Sequence, residues 1–397
     1  MGKRAAALVG MTEWAPQRTW PEPMFGMEAC AVLAAEALAD AGIEKDAVDG
    51  LVCGGLSDSP MFSPLALAEY LGIRSHFNET VDIGGASAAG MVWRAAAAIE
   101  VGMCETVLVL VPSTPSPVES GGAGQKMALP PYLGGDAWGS PQGQFDIPFG
   151  LVAATPAFAM VAHRYMQEFG VAPETLAKIA VMERDNALKN PMAVFRDKPI
   201  TVEDVLASPI IADPIHLLEM VMPCWGGGAV VVTTPERAAR LPHRPVFLAG
   251  YGEYVSHKTV SYMPRLTETP AKPAADQAFA MAGARRDSID VASFYDCFTI
   301  TVLLTIEDAG FAKKGQGGRF VDEHDLRFGG DWPLNTHGGQ LGMGQGGAAG
   351  GLSHVLDSMR QIQGRAGEVQ LAKADRAYVT GVGGLMASHV GLVLEGA

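Results

Sequence analysis

A chain of 397 residues exceeds one ordinary domain, so two comparable domains or one large duplicated α/β unit are expected. Hydrophobic residues make up 48% of the chain and charged residues 18%, the balance of a buried globular core and not of disorder. The formal charge of −14 argues against a general nucleic-acid binder, which carries a basic face, and leaves room for a local basic patch.

In chain order, the first third alternates strands and helices. Residues 5–11 read as a strand, 27–41 as an Ala-rich helix stopped at Gly42, and 48–53 as a buried strand. A helix near 64–71, a strand at 79–83, a helix over 86–101 and a strand over 105–111 follow, with Gly84-Gly85 turning strand into helix. Apolar runs separated by helices of about 10–15 residues imply parallel strands covered on both faces. Residues 112–149, rich in Pro, Gly and Ser, break that rhythm as a long surface excursion, which is more often functional than idle. Helices at 157–168, 172–190 and 202–207 precede a strand at 229–234, and 235–245 reads as a linker.

The second half repeats the plan. It has a strand at 246–251, a helix at 274–283, a strand at 289–295, helices at 298–310 and 347–362, and strands at 376–381 and 389–394. Both halves use a strand, a glycine pair and a helix, so two helix N-termini, near Gly85 and Gly346, are candidates to converge. Their unpaired N–H groups favour negative charge. Cys30, Cys53, Cys104, Cys224 and Cys297 show no CxxC spacing, so neither a disulfide framework nor a zinc site within the chain is expected. The basic start Met1 to Arg4 is followed by too short an apolar run for a signal peptide. No apolar run approaches the ~18 residues of a membrane span, so a soluble, cytoplasmic protein is expected.

Four segments then match one family in order. Thiolases carry a nucleophilic cysteine in a segment like VNxxCASG, and here Val81-Asp82-Ile83-Gly84-Gly85-Ala86-Ser87-Ala88 stands there, with Gly85 at the cysteine. The NEAF or HDCF segment is Tyr295-Asp296-Cys297-Phe298. The GGxxxxGHPxGATG segment runs from Gly338 to Gly351, with Gln345 for histidine, and CxGGGMG becomes Gly381 to Ala387, with Gly381 for the second cysteine. The sequence therefore resembles the thiolase superfamily, in its sterol-carrier-protein and lipid-transfer type, with both catalytic cysteines gone. Tyr165, Asn186 to Pro191 and Pro214 to Leu217 resemble the loop domain of that type.

The resemblance implies an α/β thiolase fold: duplicated βαβαβαββ halves in five αβαβα layers, with an inserted loop domain. The halves would be residues 1–112 with 229–242, and 243–397, with 113–228 as the loop domain. Acyl transfer through a covalent intermediate needs a nucleophile and a base, and neither glycine supplies one. Ser87, two positions along the helix from Gly85, is rotated about 200° away and reads as a helix-capping or packing hydroxyl. Cys297 reads as structural, as in the subgroup, and His389 as packing or interface.

Backbone donors outlive lost side chains. By position the oxyanion pair would be the N–H groups of Gly85 and Gly383, able to steady an enolate as well as a tetrahedral oxyanion. The resemblance extends to bacterial aldolases that cut steroid β-hydroxyacyl-CoA side chains and use tyrosine in place of cysteine. Tyr295 is then the expected base for the β-hydroxyl proton. Gln345 is a candidate hydrogen-bond donor to a carbonyl, and His337 a candidate proton shuttle. Asp82 and Asp296 border the site, with a structural hydrogen-bonding role as the leading reading of each. The resemblance also implies a CoA-thioester substrate, no cofactor in this chain, a homodimer formed through the strand expected at 79–83, and a zinc-ribbon/OB-fold partner carrying any zinc. The rival readings are an acyltransferase or condensing enzyme with another nucleophile, and a non-catalytic acyl-CoA or lipid-binding subunit.

Overall fold

The computed structural model describes residues 5–117 and 140–397. The basic start at residues 1–4 and the middle of the 112–149 excursion lie outside the described residues. The end of that excursion forms two short turns of helix, Pro141–Phe145 and Ile147–Phe149.

The first half contributes β1 (Ala7–Gln17), β2 (Gly50–Cys53), β3 (Phe77–Thr80) and β4 (Thr106–Ser113). A small ribbon, β5 (Ile210–Ala212) with β6 (Ile215–His216), precedes β7 (Pro223–Thr233). The second half adds β8 (Val246–Val255), β9 (Val291–Ser293), β10 (Gln345–Gly346), β11 (Arg376–Gly383) and β12 (Ser388–Gly396). Their order is β3-β2-β4-β7-β1-β8-β12-β11-β9, with β10 added to β7. β2 runs parallel to both β3 and β4, as its uninterrupted apolar run requires. The halves join where β1 pairs with β8, through only Ala7 with Phe247 and Leu8 with Val246.

The Ser87–Glu100 and Gly350–Gln363 helices pack on each other and reach strands of both halves. Gly26–Ala41 covers β1, β4 and β7 from outside, and Ala271–Ala282 covers β8 and β12. The result is helix, sheet, helix pair, sheet, helix: the five layers expected. Both outer helices sit on glycine. A β-carbon at Gly10 would lie 2.5 Å from the Ala37 carbonyl oxygen, and one at Gly250 would overlap the Ala278 carbonyl. A side chain at either position would push the covering helix off its sheet.

Several strands run longer than expected, β1 to Gln17 and β8 to Val255 among them, and three other boundary differences have a local cause. The strand expected at 79–83 ends at Thr80. Beyond it, the Ile83 N–H donates to Ser87 Oγ (2.9 Å) and the Gly84 N–H to Asp82 Oδ1 (3.3 Å), so side chains replace the ladder. The strand expected at 289–295 stops at Ser293, because the Phe294 N–H donates to Asn335 Oδ1 (2.8 Å) and the Tyr295 N–H to Thr380 Oγ1 (3.0 Å). The strand expected at 229–234 begins earlier, at Pro223, and runs through Gly226-Gly227-Gly228. These glycines admit close neighbours: a β-carbon at Gly227 would lie 2.9 Å from the Trp14 ring, and one at Gly228 3.0 Å from Leu352. Two short helices, Gly317–Glu323 and Gly339–Met343, were not signalled by periodicity.

Candidate active site

Tyr295 leaves the end of β9 and is 6% exposed. Its hydroxyl oxygen accepts a hydrogen bond from Gln345 Nε2 at 3.2 Å. Gln345 is held in turn by β10, where its N–H donates to the Met222 carbonyl at 3.0 Å beside the start of β7. The tyrosine hydroxyl occupies the space a side chain would need at position 85. A β-carbon there would overlap the Tyr295 oxygen and lie 2.5 Å from the Val382 carbonyl oxygen. The second helix closes in from the other side. A β-carbon at Gly351 would sit 2.5 Å from the Gly85 carbonyl oxygen and 3.5 Å from Tyr295 Cε2.

The two expected helix N-termini therefore converge, and the tyrosine lies between them. The 383–384 turn folds onto 83–84. A β-carbon at Gly84 would lie 2.9 Å from Gly384 N, and one at Gly383 would strike the Ile83 carbonyl. Gly85 and Gly383, the expected oxyanion pair, thus belong to adjoining segments. The neighbouring apolar core holds Val382, Leu385, Met386, Cys297 and Phe298.

Asp296, the next residue, points away from this chamber. It is fully buried and accepts from the Gln340 N–H (3.0 Å) and the Leu341 N–H (2.9 Å), with His354 Nε2 at 3.0 Å. Burial alone would raise its pKa, but the histidine, Glu183 and the backbone donors outweigh this and hold it at about 2. Glu183 beside it is pushed well above the carboxylate range by burial and by the Asp296 charge, so it keeps its proton. Asn335 links the cluster to the strand end, donating to Glu183 Oε1 (2.8 Å) and to the Phe294 carbonyl (2.9 Å). Asp296 is thus a brace between Tyr295 and the Gly339–Met343 turn, and its donors leave it no substrate-facing role. Asp82 is exposed and serves its own turn, so it too does not line the chamber.

Other expectations find their places. Ser87 does not cap its helix; its Oγ accepts from the Ile83 N–H at 2.9 Å and fixes the turn that leads into the helix. Cys297 is buried near Thr301 Oγ1 (3.6 Å), and burial pushes its thiol to about 12. The other four cysteines are buried as well, each with its pKa raised by desolvation. None has the exposed, depressed-pKa character of a nucleophile. His389 is buried with its pKa lowered to about 3, a neutral packing residue. His337 does not reach the chamber. Its ring packs edge-on against His354 at 5.3 Å, and His354 lies 6.0 Å from the Tyr295 ring. His354, Glu183 and Asp357 lie outside the four matched segments, and Gln340, within the third, stands at a position the motif leaves open.

Residues 252–396 match the family described as thiolase C-terminal domain-like. Over 91% of this chain and 91% of the relative, the sequence is 35% identical to the steroid side-chain-cleaving aldolase of Thermomonospora curvata. The chain belongs to the thiolase superfamily, among its aldolases. The 17-hydroxy-3-oxo-4-pregnene-20-carboxyl-CoA lyase of Mycobacterium tuberculosis is 31% identical to this aldolase over 91% of the chain and 92% of the relative. The solved Ltp2-ChsH2(DUF35) aldolase superposes with a TM-score of 0.86 at 29% identity, covering 100% of this chain and 99% of that one. An SCP2-thiolase-like protein from Mycobacterium smegmatis shares the fold, with a TM-score of 0.72 at 18% identity over 99% of this chain and 77% of that one.

One prediction concerns the brace. Asp296→Asn in this aldolase removes a buried charge from donors that stay in place, a change that typically costs about 3–5 kcal/mol. Because the folded pKa of Asp296 (about 2) lies below its ordinary 3.8, its contribution is full above pH ~4 and is lost as pH falls toward 2. Chemical denaturation of both forms from pH 7 to pH 2.5 should show the variant weaker at pH 7 and the difference shrinking with acid. A constant difference would remove Asp296 from that role.

Proposed function

We propose that this aldolase cleaves a steroid, or similarly bulky, β-hydroxyacyl-CoA by retro-aldol chemistry, releasing a ketone and a short acyl-CoA. Tyr295 takes the β-hydroxyl proton as the C–C bond breaks, and the electron pair passes to the thioester as an enolate. The N–H groups of Gly85 and Gly383 are the donors for the enolate oxygen, in a chamber where preorganised dipoles act without water. Gln345, donating to the tyrosine oxygen, supports negative charge there. The chemistry asks for no cofactor in this chain. The observation that carries the reading is that the Tyr295 hydroxyl fills the room a side chain at position 85 would need. Reactive group and missing nucleophile thus share one place.

The assembly proposed with this activity is a homodimer with a second protein. β3 ends the sheet, and Met61, Phe62, Leu65 and Tyr70 are exposed on and before the Ser63–Leu71 helix that packs on it, which supports a copy-to-copy interface there. The name of the similar Ltp2-ChsH2(DUF35) aldolase carries a second component, which supports a partner protein; any zinc would belong to that partner. A cytoplasmic setting fits the described residues, in which no single helix is long and apolar enough to cross a membrane.

The test is incubation with the substrate named for the M. tuberculosis lyase, with and without the candidate partner. Ketone formed without free CoA is the expected result. Free CoA or a trapped acyl-enzyme would replace the reading with acyl transfer, and tight binding without turnover would replace it with a lipid-binding subunit.

A further inference from the structure

We propose that a buried string of side chains, His354, His337 and Asp357, carries the proton of Tyr295 to water in a cavity behind the active site. This rests on the aldolase reading and adds to it a path for the proton. The string begins one ring from the chemistry. His354 is completely buried, with its ring 6.0 Å from that of Tyr295 and 5.3 Å from that of His337. His337 is 3% exposed, and its Nδ1 faces Asp357 Oδ2 at 3.1 Å. Asp357 is oriented by Thr336 Oγ1, which donates to both of its oxygens at 2.9 Å.

An aspartate set beside one ring nitrogen, with the other nitrogen free, is close to the arrangement of a proton-transfer histidine. The free atom is present here. Both ring nitrogens of His337, together with His354 Nδ1 and Gln340 Oε1, lack a hydrogen-bond partner of good geometry among the described residues, although all three residues are buried. A histidine kept only for packing gains nothing from polar atoms that stay unpaired, since each costs free energy.

His337 also lines a cavity of about 560 Å³, in which Lys189, Arg196, Arg360 and Arg365 are set against Asp197, Asp357 and Glu368. Three of the cations are already paired, Arg196 with Asp197, Arg360 with Glu13 and Arg365 with Asp40, so the mixed lining suits water rather than a fixed anion. The groups facing His337 are Asp357 and Arg360 from its neighbouring helix, Glu13 from β1 and Asp296 beyond. Burial opposes charge on this ring, but the carboxylates outweigh it and raise its pKa, which favours uptake of a proton. At these spacings the rings pack against one another, and a buried water at their unpaired nitrogens would complete the path.

The proton count closes. Each turnover leaves Tyr295 with the β-hydroxyl proton, while the enolate carbon takes one proton from solvent on the substrate side. The string returns the tyrosine's proton to solvent on the other side, so the cycle is neutral. His354 and His337 are positioning residues in this scheme; neither touches substrate.

The experiment uses the assembled enzyme and ketone formation from a steroid β-hydroxyacyl-CoA. His337→Gly is expected to lower kcat on the order of tenfold to a hundredfold with KM unchanged. Added imidazole, which fits the cavity, should restore kcat saturably. His337→Gln and His354→Gln should lose kcat without rescue, the first because the site is filled and the second because the string is cut upstream. Wild-type kcat in folded His337→Gly, or a loss that imidazole leaves untouched, overturns the proposal. Should His337→Gly fail to fold, the wild-type proton inventory decides. A curved dependence on deuterium fraction, with more than one proton in flight, supports the string, and a linear one overturns it. Absence of ketone from the wild type is a separate result, which removes the aldolase reading itself.

Discussion

Tyr295→Phe should lower kcat by about 10²- to 10⁴-fold, the range that one positioned acid–base group contributes. The ring stays, so the packing around Phe298 and Val382 is kept. Only the oxygen that accepts from Gln345 at 3.2 Å is lost. Leaving that buried amide unpaired costs about 1–3 kcal/mol, which a thermal or denaturant melt can read separately from turnover. Single-turnover ketone formation is the direct measurement, because it excludes product release. Turnover equal to wild type would sink the assigned role of the tyrosine, whatever became of stability.

Gly85→Ala should be nearly as damaging, through geometry alone. The added methyl has no free direction. It meets the Tyr295 hydroxyl on one side and the Val382 carbonyl, 2.5 Å away, on another. Either the tyrosine ring or the end of β11 must move, and overpacking of this kind costs about 1–3 kcal/mol. A shift of about 1 Å in a reacting group can cost on the order of 10²-fold in rate. The variant should therefore fold, melt lower and lose most ketone formation. Gly85→Cys should behave likewise and gain no acyl transfer, because its sulfur would need the space the tyrosine holds. Placing Tyr295→Ala in each background separates the two collisions: relief of the ring clash returns part of the stability, and the Val382 contact retains the rest. Wild-type activity in Gly85→Ala would show that the hydroxyl does not work from that seat.

The two predictions share a cause. A glycine at position 85 reads in the sequence as a loss, but in three dimensions it is the condition for the tyrosine to be where it is. Losing the nucleophile and gaining a base at that point are one structural event, written at positions in opposite halves of the chain.

Much of this was legible in the linear order of residues. Apolar runs separated by helical stretches set the duplicated α/β plan, and the order of the Val81 to Ala88, Tyr295 to Phe298, Gly338 to Gly351 and Gly381 to Ala387 segments identified the superfamily and the missing cysteines. Those features are local: a turn needs its glycines and a buried strand its apolar run, wherever the rest of the chain goes. Strand ends were less legible. At Thr80 and Ser293 the ladder gives way to side chains, and at Ser293 the replacement partners, Asn335 and Thr380, are remote in sequence.

Which side chains meet was decided only by the tertiary structure. Nothing around Tyr295 in the sequence shows that its oxygen lies against Gly85, that Asp296 turns inward to His354 and Glu183, or that His337 faces a cavity behind the site instead of the chamber in front. These relations come from packing two half-sheets around one central helix pair. They depend on helix-to-helix distances that leave no periodic mark in any one segment.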